Sequence, residues 1–271
     1  LNSIGDPACR PAYLERLAAY FAAHDDELPE AERNRLDTNV LRLLDSKDPA
    51  MAALVAAAPR ITDGLCDACA AHFAEVRRHL DVLGIAYRLE PSLVRGLDYY
   101  TRTAFEFYRP GAESQQDALG GGGRYDGLVE LLGGRSTPGI GFALGLDRVV
   151  LALGSPTGAT TASSTEPAAR ATAPVAVVVG ADPADTATRL RIATDLRRAG
   201  IAARAELAPR KLARQLEAAA RDGAHFALIV GDELAEGRIQ VRDLPAGTQH
   251  DTAIEDLARE LRRTTSSHRH G

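Results

Sequence analysis

The chain is short of cysteine, has no long apolar run and carries no excess of positive charge, and each shortage removes a class of protein. Three cysteines in 271 residues leave at least one unpaired within the chain and give no disulfide framework. No apolar run approaches the roughly 18 residues of a membrane-spanning helix. The opening LNSIGDPACR has neither the basic nor the apolar segment of a secretory signal. A cytoplasmic location without a membrane partner is therefore expected. The formal net charge is −5, so nucleic-acid binding would need a local basic patch rather than a polycationic molecule. The chain opens on Leu1 and its one methionine is Met51, which suggests a piece of a longer translation product.

What is present is ordinary for folded protein: 45% hydrophobic and 25% charged residues argue against wholesale disorder. At roughly 150 residues per domain the length predicts about two domains. From Pro11 to about Leu83 apolar residues recur at helical spacing (Leu14, Leu17, Ala18 and Phe21, then Phe73, Val76, Leu80 and Leu83), which predicts a small helical unit. Near Ile85 the pattern changes to extended runs, IAYRLEP and TAFEFYRP, followed by glycine-dense sequence from Gly120 to Gly145. These predict antiparallel sheet with functional loops. Gly, Ser, Thr, Ala and Pro dominate 154–173, a linker composition. Beyond it, apolar runs at 175–179, 201–205 and 226–230 alternate with helical patterns at 185–199 and 210–222. That β-α-β-α-β alternation predicts a small α/β domain with a mostly parallel sheet. The closing TTSSHRHG, 264–271, reads as a disordered polar tail.

Three segments concentrate residues suited to chemistry. LVRGLDYYTRTAFEF, 93–107, sets a permanent cation, Arg95, beside the phenols of Tyr99 and Tyr100. A guanidinium there suits a phosphate or carboxylate, although a surface ion pair and half-buried strand tyrosines would leave the same pattern. ALGGGGRYDGLVELLGG, 118–134, has four consecutive glycines ahead of Arg124, Tyr125 and Asp126. Either the backbone approaches a ligand closely or the run is a tight turn between strand and helix; it lacks the ending of a Walker loop. GIGFALGLDRVVLAL, 139–153, predicts a strand of small residues feeding a helix with Asp147 and Arg148 near its start. Its glycine spacing does not fit a dinucleotide fingerprint.

In order and content these segments resemble the histidyl-tRNA synthetase family. RGLDYYTRTAFEF and GGGGRYDGLVELLGG are similar to its two histidine-specific motifs, and GIGFALGLDRV to motif 3 of class II synthetases. The resemblance implies a multidomain α/β and α+β architecture. It divides the chain into a helical insertion domain (1–84), the C-terminal part of a class II antiparallel-sheet catalytic core (85–153), the linker, an α/β anticodon-binding domain (174–263) and the tail. It implies Arg95 as the catalytic residue at the α-phosphate of ATP, Tyr99, Tyr100 and Tyr125 together with Arg95 around histidine, and Arg148 with Gly145 at ATP. It also implies Mg2+ with ATP, tRNA(His) as acceptor and a homodimer. Motifs 1 and 2 of the family would precede residue 1, so the chain by itself is expected not to aminoacylate and its sheet to expose apolar edges. Asp147 stands where motif 3 usually has glutamate. The alternatives are a non-catalytic paralogue that regulates ATP phosphoribosyltransferase and a free-standing tRNA-binding module.

Two further features remain. Cys66-x-x-Cys69 with His72 and His79 nearby has the look of zinc ligands, but one helix spreads them too widely for a complete site without help, for instance from Cys9. The chain is therefore read as having no metal site, with these cysteines packing as small buried residues. From Arg189 to Asp222 nine basic residues stand against four acidic ones, a local cationic surface suited to tRNA phosphates or a solvated helix pair.

Overall fold

The computed structural model describes residues 1–46, 48–93, 99–109, 111, 118–153 and 175–268, apart from the side chains of Asp37 and of 264–268. They fall into two compact units, Leu1–Leu80 with Ala86–Ala162 and Asp81–Ile85 with Ser163–Gly271. The expected linker lies outside the described residues.

The first unit combines a helical core with a four-stranded antiparallel sheet. Helix α1 (Arg10–Ala22) carries Pro11 in its first turn, where the missing N–H and fixed φ of proline are suited. Its residues Tyr13, Leu17 and Phe21, four apart, are buried against Leu28, Leu43, Met51, Leu54 and Ile61. Those partners come from helix α3 (Ala52–Ala57) and the 3-10 turns and loops before and after it, and Leu36 of helix α2 (Glu30–Thr38) packs against the same cluster while partly buried. Tyr20 fixes α1 to α3 by donating its hydroxyl to the Leu54 carbonyl at 2.9 Å. Helix α4 (Asp67–Val82) buries Cys69 and Phe73.

The sheet runs β1 (Asn2–Ser3), β2 (Thr101–Tyr108), β3 (Ala118–Arg124), β4 (Ile140–Leu144), in that spatial order. Three sequence expectations change here. Residues 1–84 are not wholly helical, because Asn2 and Ser3 pair with Ala104 and Thr103 of β2. The Asn2 amide, buried, also donates to the carbonyls of Pro91 and Leu93 at 3.1 and 3.0 Å, so a polar residue at the chain's start is fully used inside the fold. The run IAYRLEP forms no strand; its backbone bonds to the first two residues of the chain, as in the 3.0 Å bond from the Glu90 N–H to the Leu1 carbonyl. The four glycines are neither loop nor turn but the middle of β3, paired with β2 on one side and β4 on the other. After β3 a turn leads to the short helix α5 (Leu128–Leu131), and β4 feeds helix α6 (Leu146–Leu153), the strand-to-helix arrangement expected for GIGFALGLDRV. Ile140, Phe142, Leu151 and Leu153 are between 67% and 81% exposed, the apolar edge that the sequence predicts.

The second unit is a five-stranded sheet. Strands β5 (Ala176–Gly180), β6 (Ala203–Ala205) and β7 (Phe226–Val230) are parallel, in order β6-β5-β7, with helices α7 (Thr186–Arg198) and α8 (Leu212–Arg221) as the crossovers. Strands β5 and β7 are buried along their whole length, as continuous apolar runs covered on both faces require. The sequence reading missed the sheet's antiparallel part, β8 (Arg238–Asp243) and β9 (Gln249–Ala253), which extends it beyond β7. Both strands are rich in charged and amide residues, and only Ile239, Val241 and Thr252 among them are buried. The last helix, α9 (Ile254–His268), buries Leu257 and Leu261. It carries residues 264–268, read from sequence as disordered tail, because a helix anchored by packing propagates cheaply through polar residues.

Inside this unit a buried polar side chain is structural. Gln215 of α8 is 1% exposed; its Oε1 accepts from the Gly180 N–H at 3.1 Å and its Nε2 donates to the Gly180 carbonyl at 2.9 Å. It thereby closes the backbone groups at the end of β5 that no neighbouring strand satisfies. Gln215→Leu keeps the volume and orphans both groups, so it is expected to destabilise this unit by about 1–3 kcal/mol, measured by urea denaturation followed through hydrogen exchange of the β5 amides.

Candidate functional site

Strand β2 is entered through Tyr99 and Tyr100, and β3 is left through Tyr125. Because the two strands are antiparallel, with Thr101 opposite Arg124, the three phenols meet at the same end of the sheet. The rings of Tyr99 and Tyr100 stack with centroids 4.9 Å apart, and Tyr125 stands edge-on to both at 5.9 Å. All three are partly buried. A side chain on the neighbouring strands would destroy this cluster: a Cβ at Gly141 would lie 2.0 Å from the Tyr125 hydroxyl, and one at Gly123 would lie 2.9 Å from the Tyr100 ring. Tyr125 is further fixed by its N–H, which donates to the Gly139 carbonyl at 2.8 Å. The result is an aromatic box with three hydroxyls able to donate or accept.

Next to the box lies an ion-pair relay that the sequence reading did not foresee. Arg124 holds Asp126 through its Nε–H, shared between the two carboxylate oxygens at 2.9 and 2.7 Å. Its Nη1 lies 3.1 Å from Nε2 of His72 on α4. Burial, then the guanidinium groups of Arg124 and Arg102, hold the His72 imidazole below the ordinary histidine range. Neutral His72 accepts from Arg124 and so ties the helical core to the strand that carries Tyr125. His72 sits one turn from the buried Cys69, a sign in the sequence that it faces inward, although nothing there named Arg124 as its partner.

The other expected site residues are dispersed. Arg95 lies outside the described residues. Gly145 joins β4 to α6, and Arg148, on the first turn of α6, donates to the Ala118 carbonyl at 2.7 Å; its partner is thus the start of β3, at the opposite end of that strand from Tyr125.

The cysteines come together. Ligand atoms of Asp6, Cys9, Cys66 and Cys69 all lie within 4.8 Å of one another. His72 and His79 are not in this group: His72 faces Arg124, and His79 lies 3.4 Å from Glu75 on the same helix. Cys66 and Cys69, read from sequence as small buried residues that would need help such as that of Cys9 to bind a metal, are met by Cys9 and also by Asp6, which the sequence reading did not name, both from the β1–α1 turn.

In the second unit the basic residues divide into two sets. Arg189 is only 3% exposed and donates to the carbonyls of Glu206 and Asp182 and to the Thr186 hydroxyl, so it belongs to the interior rather than to a cationic face. Helix α8 turns Gln215, Ala218 and Ala219 inward; Arg210 and Lys211 just before it and Arg214 and Arg221 on it line a shallow groove of about 410 Å³ with Glu217 and Ala218.

Two family models cover these units. That for histidyl-tRNA synthetase matches residues 14–149, just over half the chain. The chain belongs to the histidyl-tRNA synthetase family. An anticodon binding domain model matches residues 174–264, the second unit's sheet and helices. Curated relatives include the histidine–tRNA ligases of Anaeromyxobacter dehalogenans, 45% identical over 261 residues, and Moorella thermoacetica, 44% identical over 266 residues. The chain is covered to 95% and 97% in these matches but spans only 60% and 61% of the relatives' own lengths. A crystal structure of histidyl-tRNA synthetase from S. aureus, without ligand, is 34% identical with a TM-score of 0.45, covering 96% of this chain and 62% of that one. Among the described residues of this family member, no helix is long and apolar enough to cross a membrane.

The lowered His72 value sets a pH dependence. A base held below its unfolded value contributes stability that is complete above about pH 6.5 and lost as pH falls through the folded value. The chain is expected to lose more stability between about pH 7 and about pH 5 than His72→Gln does, in urea titrations of both proteins at each pH. Parallel curves would dismiss the burial of neutral His72.

Proposed function

We propose that the tyrosine box is the histidine pocket of an ATP-dependent histidine–tRNA ligase, the activity belonging to a protein of the relatives' length. The observation that carries this reading is the convergence of Tyr99, Tyr100 and Tyr125, drawn from two sequence segments and held by glycines that leave no room for other side chains. Tyr99 and Tyr100 form the wall against the flat imidazole. Tyr125 bonds a ring nitrogen through its hydroxyl and so selects a ring that can donate or accept there.

In the proposed reaction a carboxylate oxygen of histidine attacks the α-phosphorus of ATP, and the bond to pyrophosphate breaks. The histidyl-adenylate then passes its acyl group to a terminal ribose hydroxyl of tRNA(His), releasing AMP. Arg95 is assigned to the α-phosphate, where a permanent cation offsets the charge that builds during transfer. Arg148 and Gly145 are assigned to ATP; the Ala118 carbonyl takes one of the donors on the Arg148 guanidinium and leaves others for a nucleotide. Magnesium accompanies ATP in this family. The one described group of metal-ligating side chains contains three thiols, a poor match for a cation that prefers oxygen, and no step is routed through it.

The family division of the chain into insertion domain, catalytic core and anticodon-binding domain is part of this proposal, with a cytoplasmic homodimer as the working form. A second unit matched by an anticodon-binding model favours the ligase over a regulatory paralogue without that domain. The exposed apolar residues of β4 and α6 support the view that this surface is covered in the longer protein.

Histidine-dependent ATP–pyrophosphate exchange tests the reading. A protein of the relatives' length is expected to be active, with Tyr125→Phe lowering kcat/KM for histidine about 10-fold or more and Arg95→Ala lowering exchange about 100-fold or more. The 271-residue chain alone is expected to give none. A folded full-length protein without exchange would sink the proposal. For the tRNA partner, the chain should bind tRNA with strong salt dependence. Lys211→Ala with Arg214→Ala should weaken binding and flatten the log–log salt plot by about 0.7–1 unit per lost phosphate contact. An unchanged slope in a filter-binding titration would remove α8 from the interface.

A further inference from the structure

We propose that Asp6, Cys9, Cys66 and Cys69 form a structural zinc site in the first unit. The inference is independent of the proposed activity and rests on how two distant segments present the same geometry. Asp6-x-x-Cys9 and Cys66-x-x-Cys69 are both pairs three residues apart, the spacing at which one turn of chain offers two ligands to a zinc ion. Each pair closes in the same way. The N–H of Cys9 donates to the Asp6 carbonyl at 3.1 Å and that of Arg10 to the same carbonyl at 2.9 Å; the N–H groups of Cys69 and Ala70 donate to the Cys66 carbonyl at 3.0 and 2.9 Å. Two like half-sites, 60 positions apart in sequence, thus face each other across a space bounded by four ligand atoms within 4.8 Å. Around zinc at about 2.3 Å the sulfurs of a tetrahedron are about 3.8 Å apart, so the site closes with a contraction of about an ångström.

The surroundings are those of a charged centre rather than of apolar packing. Cys9 Sγ is 3.7 Å and Cys66 Sγ 3.9 Å from one Asp6 carboxylate oxygen, and Asp6 pairs with Arg102 at 3.4 Å through the other. The Asp6 N–H points at Cys9 Sγ at 3.5 Å. A divalent cation would take the place of the thiol protons here: three thiols release theirs to water and the carboxylate completes the set. Two of the cysteines, Cys9 and Cys69, are buried, and Gly5 leaves the room, since a Cβ there would sit 2.7 Å from Cys9 Sγ. Three sulfurs and one oxygen suit zinc better than magnesium or calcium. The His72 and His79 rings, the other candidates in the sequence, are engaged elsewhere.

The test uses the 271-residue chain purified with reductant, stripped with chelator, and titrated with Co2+ and then Zn2+. One equivalent of Co2+ is expected to give a thiolate charge-transfer band and the intense visible bands of a tetrahedral site, both bleached by one equivalent of Zn2+. Zinc should protect all three thiols from alkylation. Cys66→Ser should abolish the charge-transfer intensity or reduce it by about a third, whereas Asp6→Cys, which adds a fourth thiolate, should bind zinc at least 10-fold more tightly. Absence of the Co2+ bands in the unsubstituted chain, alkylation at the same rate with and without zinc, or a disulfide between two of the three cysteines in the reduced preparation would each overturn the proposal. Alkylation is read on the unsubstituted chain, so the outcome does not depend on whether a variant folds.

Discussion

The absence of side chains along β3 sets the distances on which the rest of the first unit depends. A Cβ at Gly122 would fall 2.0 Å from the Gly141 carbonyl, and one at Gly120 2.2 Å from that of Ala143. Only a bare backbone therefore allows β4 its present approach. That approach brings Gly139 and Gly141 beneath the Tyr125 ring, while Gly123 opens the space for Tyr100. Glycine in a strand interior costs stability through the entropy of the unfolded chain. Four in succession are tolerable because β3 is central, paired on both sides, and because the space they free is filled by aromatic rings from the same sheet.

The second unit solves a different problem, that of ending a buried parallel strand. β5 is covered on both faces and its last residue, Gly180, has backbone groups that the ladder leaves open. Gln215 from α8 and Arg189 from α7 converge there: the first bonds the Gly180 amide and carbonyl, and the second lies against it, its Cδ 3.3 Å from where a Cβ would stand. The two helices that carry the unit's positive charge are thus fastened by their polar inward faces as well as by Ile192, Leu196 and Ala219. Their outward faces keep the arginines and the lysine that remain.

Legibility from sequence followed the range of the interactions. Helices with apolar residues four apart, such as α1, and strands that are apolar throughout, such as β5 and β7, were readable because burial writes itself as periodicity. The charged strands β8 and β9 were not, since their pairing is satisfied by backbone groups that any sequence possesses. The glycine run read either as a backbone approaching a ligand or as a tight turn, because nothing local distinguishes a glycine that bends the chain from one that admits a neighbouring strand. For the candidate site, the residue types around Tyr99, Tyr100 and Tyr125 were visible. Their meeting was not, for it depends on the antiparallel register of β2 and β3. Arg189 looked like surface charge and proved to be interior, because a guanidinium's burial is decided by carbonyls distant in sequence.

The thiol cluster and the tyrosine box, described separately, are joined through two arginines, Arg102 and Arg10. Arg102 has φ of +54°, the one non-glycine residue with positive φ among those described, a conformation that costs energy unless its surroundings impose it. Here they do: its N–H donates to the Gly5 carbonyl and its carbonyl accepts from the Ile4 N–H, both at 2.6 Å, while its side chain pairs with Asp6. The turned backbone coincides with the register shift between Thr101 and Ala104, directly after the two tyrosines. Arg10, the residue after Cys9, donates to the carbonyls of Ile4 and Tyr100. The β1–α1 turn that holds two of the four ligands is therefore bonded to the backbone of Tyr100 itself. A metal that rigidified this turn would act on the aromatic wall through Arg10 and Arg102 without touching a substrate, since neither guanidinium can shift while its carbonyl or carboxylate partners are held.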